Sequence, residues 1–114
     1  MRWQIETRRM GGVTILDMRE LSETEERESQ DLRETIKELI GGGEKNLLVN
    51  LAGVRYMDSS GIADLVLCFI SAKDNGAELK LLKPQKKVHD MLEITRLLDV
   101  FEISHDEQRA VESF

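Results

Sequence analysis

The sequence predicts an α/β fold: a mixed β-sheet of about five strands with about four helices, an opening β-hairpin followed by β–α repeats. Three observations carry this. Asn46 to Leu51 is a short, nearly continuous apolar run, the pattern of a central strand buried on both faces. Strand–helix–strand passages follow it, and such crossovers join parallel neighbours. The first two apolar segments are instead joined by a short glycine-containing turn, which makes them an antiparallel pair.

In chain order, Trp3-Gln4-Ile5-Glu6-Thr7 alternates as a half-buried strand does, Met10-Gly11-Gly12 turns, and Val13 to Met18 is the second strand. From Ser22 to about Ile40 an amphipathic helix is expected, with Leu32, Ile36, Leu39 and Ile40 as its apolar stripe and Glu34 and Glu38 on the polar side. Gly41-Gly42-Gly43 stops it. That triple glycine is no phosphate cradle, because the Lys-Ser or Lys-Thr pair of a P-loop does not follow. Glu20, Glu23, Glu25, Glu26 and Glu28 are expected to form a solvated face whose acids suit the first helical turn; a surface facing a partner is the alternative.

After the strand at 46–51 comes a polar break, Tyr56-Met57-Asp58-Ser59-Ser60-Gly61-Ile62, and then a helix. Ile62, Leu65, Val66, Phe69 and Ile70 repeat at helical spacing through about Ser71 or Ala72, and the helix should end near Asn75-Gly76. Glu78 to Leu82 is the next strand. Pro84 suits the first turn of the following helix, from which Val88, Met91, Leu92 and Thr95 face the core. A short strand at about Val100 to Ile103 precedes a terminal helix carrying Ala110, Val111 and Phe114.

The 114 residues suit one compact domain spanning 1–114, with 40% hydrophobic residues to fill a core and only 4% aromatic, so aliphatic side chains must fill it. A formal charge of -6 disfavours nucleic acid as the main ligand, since duplex binding needs a basic patch, and fits a protein partner better. No apolar run approaches the roughly 20 residues of a membrane span, and no signal core follows a basic start, so membrane insertion is not expected and the chain reads as cytoplasmic. The lone cysteine, Cys68, reads as a small core residue. His89 and His105 are far apart and lack companions with metal-ligand spacing, so neither a metal nor a cofactor is expected. No acid, base and nucleophile set suggests an enzyme. Asp58 beside Ser59 is not a catalytic dyad, because a carboxylate is too weak a base to activate a serine without help.

The polar break is the informative stretch. Where a strand turns into a helix, the first helical N–H groups lack partners, and Asp58, Ser59 and Ser60 carry side-chain oxygens able to accept from them. Gly61 allows close backbone approach. The same N–H groups and the positive helix end favour a phosphate on a serine, so a serine here is a cap, a phosphate carrier, or both.

Asp58-Ser59-Ser60-Gly61-Ile62-Ala63 resembles the signature of the STAS-domain anti-sigma factor antagonists. The similarity extends to Leu79-Lys80-Leu81-Leu82, the Lys83-Pro84 helix start, Thr95 to Phe101, and Glu107 to Phe114, nearly the whole chain in family order. The resemblance implies helices gathered largely on one side of the sheet. It also implies that Ser59 is phosphorylated by a partner that is both serine kinase and anti-sigma factor, and that a phosphatase restores it. Asp58, Ser60, Gly61, Ile62 and Asp64 would then form the phosphorylation loop and partner-binding surface. Unphosphorylated, such a chain binds the anti-sigma factor and frees sigma. This sequence departs from the family pattern at Arg19 and Ser22, where a Gly and an Asp are usual, with Glu20 or Glu23 as substitutes for that charge. Asp64 is a further departure, at a position commonly apolar or small. The family also contains non-switching interaction modules, such as accessory subunits of lipid-trafficking ABC transporters and signalling scaffolds, in which Ser59 and Ser60 would be caps alone.

Overall fold

The computed structural model describes residues Met1–Phe114. β1 (Trp3–Met10) and β2 (Val13–Glu20) pair antiparallel across Gly11 and Gly12, whose φ values of 55° and 79° give the left-handed two-residue turn that matches strand twist. β3 (Asn46–Gly53), β4 (Glu78–Leu82) and β5 (Ile103–Ser104) then add in parallel, giving the order β1-β2-β3-β4-β5. Strands adjacent in sequence are adjacent in space, as crossover connections of this length allow.

The alternation of side chains divides the core in two. Leu47, Val49 and Leu51 of β3 face one layer together with Leu16, Met18, Leu79 and Leu81. That layer is closed by α1 (Leu32–Gly41), α2 (Ser59–Asp74) and α3 (Lys86–Ile94), which contribute Leu32 and Ile36, then Ile62, Leu65, Cys68 and Ala72, then Val88 and Leu92. Each fully buried Leu or Ile stabilises the fold by about 1.5–3 kcal/mol. On the opposite face, α4 (Glu107–Glu112) and the residues after it lay Ala110, Val111 and Phe114 over Val13, Ile15, Leu48 and Leu82. Three of the four helices thus share one face. α4 is held by Arg8, whose guanidinium bridges Asp17 at 2.7 Å and Glu107 at 2.5 Å, and by Lys80, whose Nζ donates to the Ser113 carbonyl at 2.8 Å and sits over the Phe114 ring.

Several boundaries differ from the sequence expectation. The first helix begins at Leu32, not Ser22. Residues 22–30 instead serve the outer edge of β1: Trp3 N–H donates to Ser29 Oγ, Gln30 N–H to the Trp3 carbonyl, and Ile5 N–H to the Gln30 side chain, at 2.8 to 2.9 Å. The Arg2 guanidinium gathers the carbonyls of Ser22, Glu25 and Arg27. A helix here would consume those backbone groups and leave the sheet edge unpaired. The helix starts where Asp31 caps it, accepting from Arg33 N–H at 2.9 Å. The acids at 20–28 therefore belong to a strand end and a loop, and only Glu34 lies in the first helical turn.

Pro84 sits just ahead of the α3 cap, Gln85, outside the first turn. Thr95 does not face the core; it ends α3, exposed, with its hydroxyl donating to the Met91 carbonyl at 2.7 Å. The last strand is Ile103–Ser104, because residues 98–100 turn and leave Val100 exposed. Within α2 the inward face is Ile62, Leu65, Cys68 and Ala72, so Ile70 points outward, 47% exposed.

Candidate functional site at the start of α2

Parallel β3 ends at Gly53, where the chain passes so close to β2 that a Cβ would lie 2.6 Å from the Met18 carbonyl. Beyond it, two buried apolar side chains, Val54 and Met57, pin a loop whose intervening residues, Arg55 and Tyr56, are exposed. The N–H groups of Arg55 and Tyr56 donate to one carboxylate oxygen of Glu20, at 3.0 and 3.1 Å. Glu20 ends β2, so the neighbouring strand fixes the loop that leads into the helix.

Asp58 is the N-cap of α2, with extended backbone (φ -79°, ψ -179°). Its Oδ1 accepts from Gly61 N–H at 3.0 Å and from the Ser60 hydroxyl at 2.7 Å, while its carbonyl accepts from Ile62 N–H at 3.1 Å. The Gly61 N–H first, and the Ser60 hydroxyl second, hold the Asp58 carboxyl below its ordinary range. Asp58 thus takes the capping role, and Ser60 supports it.

Ser59 does neither. It is the first residue of the helix, exposed, and its hydroxyl has no hydrogen-bond partner within the chain; its N–H is likewise unpaired. Successive helical residues point about 100° apart, so Ser59 and Ser60 diverge, and the Asp58 carboxylate engaged with Ser60 is not arranged as a base for Ser59. Gly61 is buried against Met57, where an added Cβ would meet side-chain carbons at 3.4 Å, an ordinary contact. No clash requires glycine there. Ile62 is buried and anchors the helix start.

Asp64 lies one turn beyond Ser60, half-buried, without an ion pair or hydrogen bond. Helical geometry sets it about 140° around the axis from Ser59, so the two do not face each other. Arg19 and Ser22 both attach to Glu25: Arg19 through its guanidinium at 2.7 Å, Ser22 through its N–H at 2.7 Å. Neither is bonded to the Ser59 turn, whereas Glu20 is. Sequence offered Glu20 or Glu23 as a substitute acid near this turn, but not the role Glu20 takes in holding the loop through the Arg55 and Tyr56 N–H groups, which the β2–β3 pairing brings about. Also missed was the exposure of Tyr56, 44%, in the loop that leads into the helix.

Cys68 lies in the core under α1 and α2, and burial pushes its thiol up to about 12. No cluster of metal-ligating side chains occurs, and no helix is long and apolar enough to cross a membrane.

The STAS domain family model matches residues 4–110, almost the full length of the fold just described. The chain belongs to the STAS domain family. It is 30% identical over 74 residues to an anti-sigma-B factor antagonist of Staphylococcus aureus, an alignment covering 65% of this chain and 68% of that protein. Its fold matches a STAS domain protein, described as an anti-sigma-factor antagonist, from Planctomyces limnophilus, with a TM-score of 0.77, 22% identity, and 96% of each chain covered. It also matches the Bacillus cell fate determinant SpoIIAA in its phosphorylated form, with a TM-score of 0.66, 16% identity, and 97% of each chain covered. As a STAS domain the chain has a sheet, helix order and turn in which Asp58, Ser59 and Ser60 open the second helix. The relatives carry the names of antagonists, in keeping with the absence of a catalytic set in the sequence.

Proposed function

We propose that this STAS domain is an anti-sigma factor antagonist switched by phosphorylation of Ser59. Unmodified, it binds a kinase-type anti-sigma factor in the cytoplasm and so frees a sigma factor for transcription. The partner's kinase activity then transfers the γ-phosphoryl group of ATP to Ser59 Oγ: the new O–P bond replaces the bond to ADP, and the hydroxyl proton passes to a base of the kinase. A phosphatase hydrolyses the ester and restores binding.

The observation that carries this reading is the division of labour at the turn. Asp58 caps α2 with Ser60 in support, which leaves the Ser59 hydroxyl exposed and uncommitted. A serine retained for capping alone would be bonded. A phosphate on Ser59 would stand at the positive end of a 16-residue helix with an unpaired N–H beneath it, so the modified chain stays folded. The phosphate brings about -1.5 to -2 charges and three acceptor oxygens to the contact surface. A partner fitted to a hydroxyl and neutral N–H groups then meets an unpaired charge that it must desolvate, and binding is lost. The names of the relatives and the phosphorylated state of the Bacillus neighbour support the same assignment.

Two variants test it. Ser59→Ala should bind the anti-sigma factor as tightly as the unmodified chain and resist release by ATP. Ser59→Asp should bind at least about tenfold more weakly, the scale of one misplaced interfacial charge. Equal affinity of the two, read by calorimetry, would reject the switch and leave a constitutive STAS interaction module, such as a transporter accessory subunit or a signalling scaffold.

A further inference from the structure

The residues from Val54 to Met57 belong to no helix or strand, so side chains must give this loop its shape. Val54 and Met57 pin its two ends by burial. Its middle is held from outside: the Glu20 carboxylate reaches across from the end of β2 and accepts from the Arg55 and Tyr56 N–H groups through one oxygen, at 3.0 and 3.1 Å. The other oxygen lies 3.9 Å from Arg55 Nε and adds little, because the Arg55 side chain is 84% exposed. Glu20 therefore acts on the backbone of the loop. What that backbone presents to solvent is Arg55 and Tyr56, two residue types that often anchor protein interfaces, close before Ser59 in the chain. Without the carboxylate, both N–H groups would turn to water and the two side chains would have to be ordered anew by whatever binds them, which weakens binding.

We propose that Glu20 is a positioning residue for the modification of Ser59: it holds Arg55 and Tyr56 as a preformed recognition surface for the kinase-type partner. The proposal rests on the reading that Ser59 is phosphorylated by a protein docking at the start of α2, and it adds which side chains that protein reads and what fixes them. Glu20 bonds to neither Asp58 nor Ser59, whose placement comes from the helix cap. Loss of Glu20 thus loosens the recognition surface and leaves the acceptor hydroxyl on its helix. The kinetic signature is a raised KM with kcat retained, the mark of binding lost equally from the ground and transition states.

The test compares the unsubstituted chain with Glu20→Ala and Glu20→Gln, each checked for folding by its melting curve. Amide relaxation by NMR should show Arg55 and Tyr56 losing order in Glu20→Ala and keeping it in Glu20→Gln, whose side-chain oxygen still accepts. With ATP and the kinase-type anti-sigma factors of the source organism, Glu20→Ala should raise KM about tenfold and change kcat by less than about twofold, the scale of losing one charged hydrogen-bond acceptor. Glu20→Gln should restore most of that loss. On a Tyr56→Ala background, where the side chain being positioned is gone, Glu20→Ala should add no more than about threefold. An ordered loop in Glu20→Ala, an equal KM rise in Glu20→Gln, or a full tenfold effect on the Tyr56→Ala background would overturn the proposal. An unsubstituted chain that no factor phosphorylates overturns the Ser59 reading and this proposal together, whereas a phosphorylated chain whose KM is unmoved by Glu20→Ala overturns the role of Glu20 alone.

Discussion

Asp58, Ser59 and Ser60 are three oxygen-bearing side chains in succession, and the backbone decides what each does. With Asp58 extended and Ser59 already helical, only the Asp58 carboxylate reaches the Gly61 N–H. A second residue-level device secures the neighbouring loop: Glu25 accepts from the Arg19 guanidinium and from the Ser22 N–H. Arg19 first, and the Ser22 N–H second, lower the Glu25 carboxyl from its ordinary 4.5 to about 2. A lowered carboxylate contributes stability that is fully present above pH 4.5 and is lost as pH falls through about 2. Titration of the Glu25 side-chain carboxyl by NMR should therefore show a midpoint near 2, with Ser22 amide exchange accelerating only below that range; a midpoint near 4.5 would mean that Arg19 and Glu25 are not paired in solution. The motif itself was legible in the sequence, because capping chemistry is local. Which of its oxygens caps was not, since that depends on dihedral angles the residue types do not set.

At the level of elements, the charged run from Ser22 to Gln30 shows why a helical reading of the first helix extended too far. Exposed glutamates and arginines are compatible with a helix and with a loop alike. The choice is made by β1, whose outer N–H and carbonyl groups find their partners in this segment, about 25 residues away in sequence. Asp31 rather than the glutamates should therefore matter to α1. Asp31→Ala should cost about 1 kcal/mol in chemical denaturation, and Glu28→Ala within about 0.5 kcal/mol of nothing. Equal losses would return the helix start to the glutamates. The end of α3 gives the opposite case. Arg96 has φ 60° in a left-handed closing turn, with Leu97 N–H bonded to the Leu92 carbonyl at 2.7 Å. A side chain there is strained, so Arg96→Gly should raise stability by about 1 kcal/mol, and a loss on that substitution would contradict the turn. The start of β5 was expected three residues early because Val100 and Phe101 read as a strand; of these two only Phe101 is buried, and it packs edge-on to Phe69 from a turn.

For the whole molecule, the antiparallel opening hairpin and the parallel pairing across the crossovers followed from sequence alone, because strand–helix–strand passages permit little else. The side of the sheet taken by α4 did not. Ala110, Val111 and Phe114 mark an apolar stripe without saying which face it covers, and the Arg8, Asp17 and Glu107 network that settles it joins residues nearly the full chain apart. The result is a sheet packed on both faces, with the turn at Ser59 at the ends of its central strands, held by Glu20, Val54 and Met57. A rigid frame of this kind lets a covalent change at one hydroxyl alter a surface without altering the fold. The most direct test is to incubate the intact chain with ATP and each kinase-type anti-sigma factor of its source organism, then record intact mass and map the modified peptide. One phosphate on Ser59, placed there by a factor that binds the unmodified chain, is the predicted result. A factor that binds tightly yet leaves Ser59 unmodified, or a phosphate placed on Ser60 instead, would contradict it.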